Sequence, residues 1–257
     1  MSVSGVGASS SIYGQLASGS KLMSAADNAA GVAITEKEEA QINGYDAGTN
    51  NIKSQQDALN IADGATQSIV DSLQRMRELA VQASNSALMS DSDLASIQEE
   101  INGLKEGING VAEQTTYNTK NLLNDDLSFE AASDANGSAN SINTYNSTLA
   151  ELGLEDFDVT GDFDISKLDD AISKLSTNLA SYGAQSNSID YAALYNSNTS
   201  YNTSAANSRI EDLDYPQAVS EKEKQRLLDA YALEMQKKKQ EDEERGMQNI
   251  LNAGIVQ

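Results

Sequence analysis

Apolar residues return along this chain at alternating three- and four-residue intervals. From Leu59 the series runs Leu59, Ala62, Thr66, Ile69, Leu73, Met76, Ala80 and Ala83, apolar at every place but Thr66. Such spacing keeps one stripe of a helix turned toward a partner, as in a coiled-coil seam. A second series, Leu94, Ile97, Ile101, Leu104, Ile108 and Val111, repeats the pattern, and a third runs Leu168, Ile172, Leu175, Leu179 and Tyr182. Three seams can bury one another, so these residues are the expected helix-packing set. A first helix of about 40 residues from near Tyr45 would measure roughly 60 Å. The pattern therefore predicts a mainly α fold: an elongated bundle of long coiled-coil-like helices from both chain ends, with a short β-hairpin and a minimal variable region.

Start signals divide the chain in the same way. Ser90 with Asp93, Ser166 with Asp169, and Ser220 with Glu223 each have capping-box spacing ahead of an apolar run. Between the helical halves, "AASDANGSANSINTYNST" is rich in residues that compete for backbone hydrogen bonds and reads as an exposed loop. "EDFDVTGDFDI" alternates Phe157 and Val159 with acids, turns at Thr160-Gly161 and resumes with Phe163 and Ile165, which predicts the hairpin. Its Asp156, Asp158, Thr160, Gly161, Asp162 and Asp164 begin like a calcium loop. Lys167 stands at the twelfth place, where a bidentate Glu belongs, so an acidic hairpin face is the preferred reading and no metal site is expected.

Further on, Tyr191 to Ser208 has poor intrinsic helix propensity, so packing must impose any helix there. After Pro216, Leu227, Leu228, Tyr231 and Met235 look amphipathic. "QKKKQEDEERG" then carries no apolar residue until Met247. Its Lys237–Glu241, Lys238–Asp242 and Lys239–Glu243 pairs have helical spacing in the weaker orientation, which reads as a solvated face.

Composition narrows the chemistry. Among 257 residues, 39 acids against 17 bases leave a formal charge of −22, which repels phosphate backbones and anionic lipid, so neither nucleic acid nor membrane is an expected partner. No window supplies the roughly 20 apolar residues of a membrane helix, and "MSVSGVGASSS" lacks the basic and apolar regions of a secretory signal, so a Sec route is not expected. Histidine and cysteine are absent, which removes imidazole acid–base chemistry, thiol nucleophiles, disulfides and the usual zinc sites. The remaining polar residues could build a catalytic site only by converging in a pocket that a slender rod seldom offers. No enzyme activity or cofactor is expected.

The two ends together resemble bacterial flagellin. "LASGSKLMSAADNAAGVAI", "LQRMRELAVQASN", "SDSDLASIQEEI" and "QTTYNTKNLL" follow in the family's order at the amino end. "LDDAISKLSTNLASYGAQSNSI" and "SAANSRIEDLDYPQAVS" match its returning helix and exit. The resemblance covers about residues 16–124 and 166–220 and implies five segments. These are 1–44, an export and core segment with a linker; 45–124, the first half of a helical rod; 125–165, a short variable loop and hairpin; 166–212, the second half of the rod; and 213–257, a carboxyl-terminal core helix. It further implies a bare, disordered start suited to the flagellar type III apparatus.

Two features depart from the family pattern. The segment before "LASGSKL" is several turns shorter than the family's usual core helix, and "KKKQEDEER" stands where relatives are mostly uncharged and apolar. Buried charges need partners or water, so this end is expected to line a wet channel or to leave the usual inner tube incomplete.

The implied function is structural: a subunit that polymerises with itself into an extracellular bacterial flagellar filament for motility. Its implied partners are an export chaperone, the type III export apparatus, and the filament cap and hook-junction proteins. In similar flagellins the positions matching Gln74, Arg75, Leu79 and Glu100 form the surface read by the host Toll-like flagellin receptor. The bland alternative for Arg75 and Glu100 is an exposed ion pair or a subunit contact, with Gln74, Arg75, Glu78 and Leu79 at the flanks of the seam or outside it. Two other readings of the whole chain stand beside this one: an accessory or hook–filament junction protein, told apart by copy number in filaments, and a soluble helical binding module that stays monomeric.

Overall fold

In the computed structural model the described backbone comprises residues 5–85 and 89–254, with side chains described for residues 12–85 and 89–249. Among the described residues there are five helices: α1 (Gly5–Ser18), α2 (Ala25–Ala83), α3 (Asp91–Gln114), α4 (Ser166–Glu211) and α5 (Tyr215–Gly254). The strands are β1 (Thr116–Tyr117), β2 (Lys120–Asn121), β3 (Leu127–Ala132) and β4 (Ala139–Thr144), forming two separate antiparallel pairs. The chain divides into two compact units, one of residues 40–202 and one built from the two flanking parts.

The larger unit is organised by α2. From Tyr45 to Ala83, the residues at 45, 52, 59, 66, 73 and 80, and at 48, 55, 62, 69, 76 and 83, are all buried, an unbroken heptad pattern. Ile97, Ile101 and Ile108 of α3 close on this stripe, with Leu94, Leu104 and Val111 half-buried beside them. On α4 the buried series is Leu168, Ala171, Leu175, Asn178, Tyr182, Ile189 and Asn196, while Ile172 and Leu179 are half-buried flanks. Arg77 pairs with Asp169, Gln56 Nε2 donates to Ser186 Oγ at 3.2 Å, and Ser200 Oγ donates to Asp46 Oδ1 at 3.0 Å. Numbering rises on one helix as it falls on the other, so α2 and α4 run antiparallel. The helix does continue through Tyr191–Ser208, and Asn196, buried and donating to the Ser133 carbonyl, is one of the contacts that impose it.

Three local expectations are corrected. Helix α2 continues upstream of Tyr45 to a break at Asn28 (φ −163°, ψ 94°), whose Oδ1 accepts from the Gly31 N–H at 3.0 Å and so caps the long helix. The Ser90–Asp93 capping box is present on α3, but the other two are not. Asp164 accepts from the Ser166 N–H, and Asp169 is taken by Arg77. Ser220 lies inside α5, which is capped by Asp214 accepting from the Gln217 N–H at 3.1 Å, with Pro216 in the first turn where its missing N–H costs nothing.

The hairpin exists, but elsewhere. Phe129 pairs with Ile142 and Leu127 with Thr144 in β3–β4, so part of the Asn/Ser-rich stretch read as a loop is a strand. Its turn is ordered by Asp134, which accepts from the N–H groups of Asn136 and Ser138, and by Gly137 at φ +79°. A side chain at Gly44 would meet the Ala135 Cα at 2.7 Å, and one at Gly48 the Ser133 carbonyl oxygen at 2.4 Å; these two glycines let the turn sit on α2. Asn51 Nδ2 then donates to the Ala132 carbonyl, and Gln55 Nε2 to those of Phe129 and Asn140, each at 2.9 Å. The hairpin expected at residues 156–165 does not form, because Asp158 and Asp164 satisfy nearby N–H groups in local turns instead of leaving them to a ladder.

In the smaller unit the entering and leaving segments pair. Ser20 bridges Asp212, the Lys21 N–H donates to the Glu211 carbonyl at 2.8 Å, and the Leu213 N–H donates to that of Gly19 at 2.9 Å. Tyr215 Oη reaches the Leu16 carbonyl at 2.7 Å, and Lys222 Nζ stands 5.2 Å from the Tyr13 ring centre. Helix α1 thus lies against the first turns of α5. The expected disordered start is corrected for residues 5–18, which are helical; its first four residues lie outside the described ones.

Candidate interaction surfaces

The heptad that buries Leu73 and Met76 turns Gln74, Arg75 and Glu78 to solvent. Arg75 Nε and Nη2 both reach Glu100 Oε1, at 2.9 and 2.7 Å, and Nη1 reaches Glu78 Oε2 at 3.0 Å. The guanidinium is therefore held between α2 and α3 by two carboxylates, and the Glu100 hydrogen bond, then that of Glu78, raises its pKa further above its ordinary value. Arg75 and Glu100 remain 50% and 48% exposed, so the pair is ordered without being withdrawn from a partner. Leu79 departs from this surface. It is 3% exposed and packs in the core, because a residue next to Ala80 on a helix gripped from two sides still faces a neighbour.

Glu78 completes the cluster, and its spacing three residues after Arg75 is the signal for that contact. Arg77, on the other flank, pairs with Asp169 of α4, a contact 92 residues distant that no local spacing announces. Arg75 and Arg77 thus bind α2 to two different helices.

The acidic segment forms a second surface. Leu154, Phe157 and Val159 are buried, Phe157 meets Phe163 edge-to-face, and Lys105 Nζ and Gln98 of α3 hold the Phe157 carbonyl and the Val159 N–H. The hydroxyl and N–H of Thr160 hold the Asp158 carboxyl below its usual range, and the N–H of Ser166 does the same first for Asp164. These carboxylates serve the loop itself. Among the described residues no group of three or more acids is gathered as for a metal ion.

The third surface is α5. Beyond the turns beside α1 it leaves Leu227, Leu228, Tyr231 and Met235 exposed, Leu227 at 73% and Tyr231 at 63%. Among the described residues its one ion pair joins Arg226 to Glu223; Lys237, Lys238 and Lys239 close none of the pairs their spacing allows. Among the described residues no helix is long and apolar enough to cross a membrane.

Comparison with known proteins matches these elements. Residues 8–127 fit the family profile described as the bacterial flagellin N-terminal helical region, and residues 165–252 fit the C-terminal helical region. The chain is 30% identical over 253 residues to the flagellin of Bacillus subtilis strain 168, covering 83% of each chain. It is 31% identical over 245 residues to that of Listeria monocytogenes serovar 1/2a, covering 86% of this chain and 84% of the relative. The crystal structure of Bacillus cereus flagellin superposes with a TM-score of 0.51 at 28% identity, over 57% of this chain and 88% of that one. With both helical ends matched in order and two relatives matched over most of their length, this chain belongs to the bacterial flagellin family, the structural proteins that polymerise into the extracellular flagellar filament.

Proposed function

We propose that this chain is exported and polymerises as a repeating subunit of a flagellar filament that serves motility, its copies joined in part through α5. The observation that carries the reading is the exposed apolar stripe of α5. A helix of 40 residues spans about 60 Å and is packed against an α1 of 14 residues, about 21 Å long. Long helices in water depend on burying an apolar face, and an exposed stripe of this kind marks an interaction surface. An export chaperone, the type III apparatus, and the filament cap and hook-junction proteins belong to the same reading.

The test is electron microscopy of the purified chain after seeding with short flagellar fragments under precipitating salt. Regular filaments growing from the seeds are expected. Persistent folded monomers, where a related flagellin polymerises, would instead favour an accessory or hook–filament junction role.

A second reading concerns Gln74, Arg75 and Glu100, which we propose as a surface read by the host Toll-like flagellin receptor. The exposed, pre-ordered guanidinium supports it, since an arginine already held in place loses little freedom on binding. Arg75→Ala should reduce receptor signalling by the monomer with helix content unchanged in circular dichroism. Unchanged signalling by the folded variant would remove this reading.

A further inference from the structure

Asparagine stands immediately before glycine at four places: Asn43-Gly44, Asn102-Gly103, Asn109-Gly110 and Asn136-Gly137. Such a pair is open to reaction between backbone and side chain, because glycine has no Cβ to hinder the approach of its nitrogen to the asparagine carboxamide.

The fold treats the four differently. Asn43 lies in α2, and Asn102 and Asn109 lie in α3, so each following glycine nitrogen donates to the carbonyl four residues back and the helix fixes φ and ψ. Each helical pair is further tied down. Asn102 Oδ1 accepts from Gln98 Nε2 at 2.9 Å, Asn109 Oδ1 accepts from the Leu149 N–H at 3.4 Å, and Gly44 lies beneath Ala135. Asn136-Gly137 is instead in the exposed turn between β3 and β4, with Gly137 at φ +79°. Among the described residues the Asn136 carboxamide has no hydrogen-bond partner; its backbone N–H is held by Asp134 Oδ1 at 2.8 Å. The Gly137 N–H reaches the Asp134 carbonyl at 3.2 Å, a longer bond than those of the Asn136 and Ser138 N–H groups to the Asp134 carboxylate.

We propose that Asn136-Gly137 is a self-modifying site of the folded chain. The Gly137 nitrogen, having lost its proton to hydroxide, attacks Asn136 Cγ; the bond from Cγ to the side-chain nitrogen breaks, ammonia leaves, and a five-membered imide closes. Water then opens the ring at one of its two carbonyls, giving aspartate or, with the chain routed through the former side chain, isoaspartate. Water enters and ammonia departs, so neither oxidant nor enzyme is needed. Either product adds a carboxylate to a turn that already contains Asp134, and like charges repel. Isoaspartate also adds a carbon to the backbone between the two N–H groups that Asp134 caps, which loosens the cap. Ser133 of this turn accepts from Asn196 of α4 and Ala135 sits on Gly44 of α2, so the change loosens the seat of the hairpin on both helices. The proposal stands independently of assembly.

Peptide mass spectrometry of the full chain, incubated at mildly alkaline pH, tests it. The peptide containing residue 136 should gain about 1 Da and separate into two isomers. In the folded chain this conversion should run at least about tenfold faster than at Asn43, Asn102 and Asn109, which must wait for local opening of a helix. In urea the four rates should converge to within about threefold. Asn136→Gln, whose longer side chain would have to close a six-membered ring, should stay intact. In chain aged to isoaspartate, amide hydrogen exchange at residues 133–138 should rise by about tenfold, with the stretch of α2 from Ile52 to Leu73 unchanged. An intact residue 136 in the folded chain, beside conversion in urea, would show that the turn protects it and overturns the proposal, as does equal conversion at all four sites before unfolding. Unchanged exchange in the aged chain overturns the loosened seat.

Discussion

At the scale of single residues, many polar contacts among the described residues are short-range and serve the backbone. Asp93 accepts from the Ser90 N–H at 3.0 Å, Asp158 from the Thr160 hydroxyl and N–H at 2.6 and 2.7 Å, and Asp164 from the Ser166 N–H at 2.9 Å. Each carboxyl is thereby held below its ordinary value of 3.8. The native state then binds fewer protons than the unfolded chain in that range, so this stabilisation is fully present above about pH 4 and is lost as pH falls through the lowered native values. The urea midpoint of Asp164→Asn should lie below that of wild type at pH 7, and the gap should narrow below about pH 4. Asp164 also shows what spacing misreads: its alternation with Phe163 and Ile165 looks like a strand, yet a carboxylate two residues ahead of a helix captures an N–H first.

At the scale of elements, burial and capping contribute unequally. Leu73 is wholly buried among three helices, and Leu73→Ala should cost roughly 3 kcal/mol in urea unfolding. Ser90→Ala removes the cap of α3 and should cost only about 1 kcal/mol. The buried heptads of α2 were legible because their period is a property of one helix. The β3–β4 pair was not, because a strand of Ala139, Asn140, Ser141, Ile142, Asn143 and Thr144 has little intrinsic preference for the ladder. What holds it is remote: Gly44 and Gly48 make room, and Gln55 supplies two hydrogen bonds.

At the scale of the whole molecule, the two units differ in what supports them. The largest fully buried side chains among the described residues fall between Ile52 and Tyr182, inside the unit of residues 40–202. The other unit buries Thr35 and Ala218 but leaves most of α5 in water. Local opening should therefore be frequent in the flanking parts and rare in the larger unit. Limited proteolysis of the monomer should first remove residues on either flank and leave a resistant fragment close to residues 40–202 by mass spectrometry. The same digestion after seeded assembly should spare α5.

By itself the sequence determined the three seam-bearing helices, most of their buried stripes, the Arg75–Glu78 spacing and the order of family motifs, since each depends on residues a turn or two apart or on a local pattern repeated along the chain. Tertiary structure alone decided which stretch became the hairpin, that Leu79 is enclosed, that Arg77 reaches Asp169, and that Asn196 holds a weak helix-former in place. Those outcomes rest on space left by distant glycines and on donors carried by other helices, and no window along the chain contains both partners.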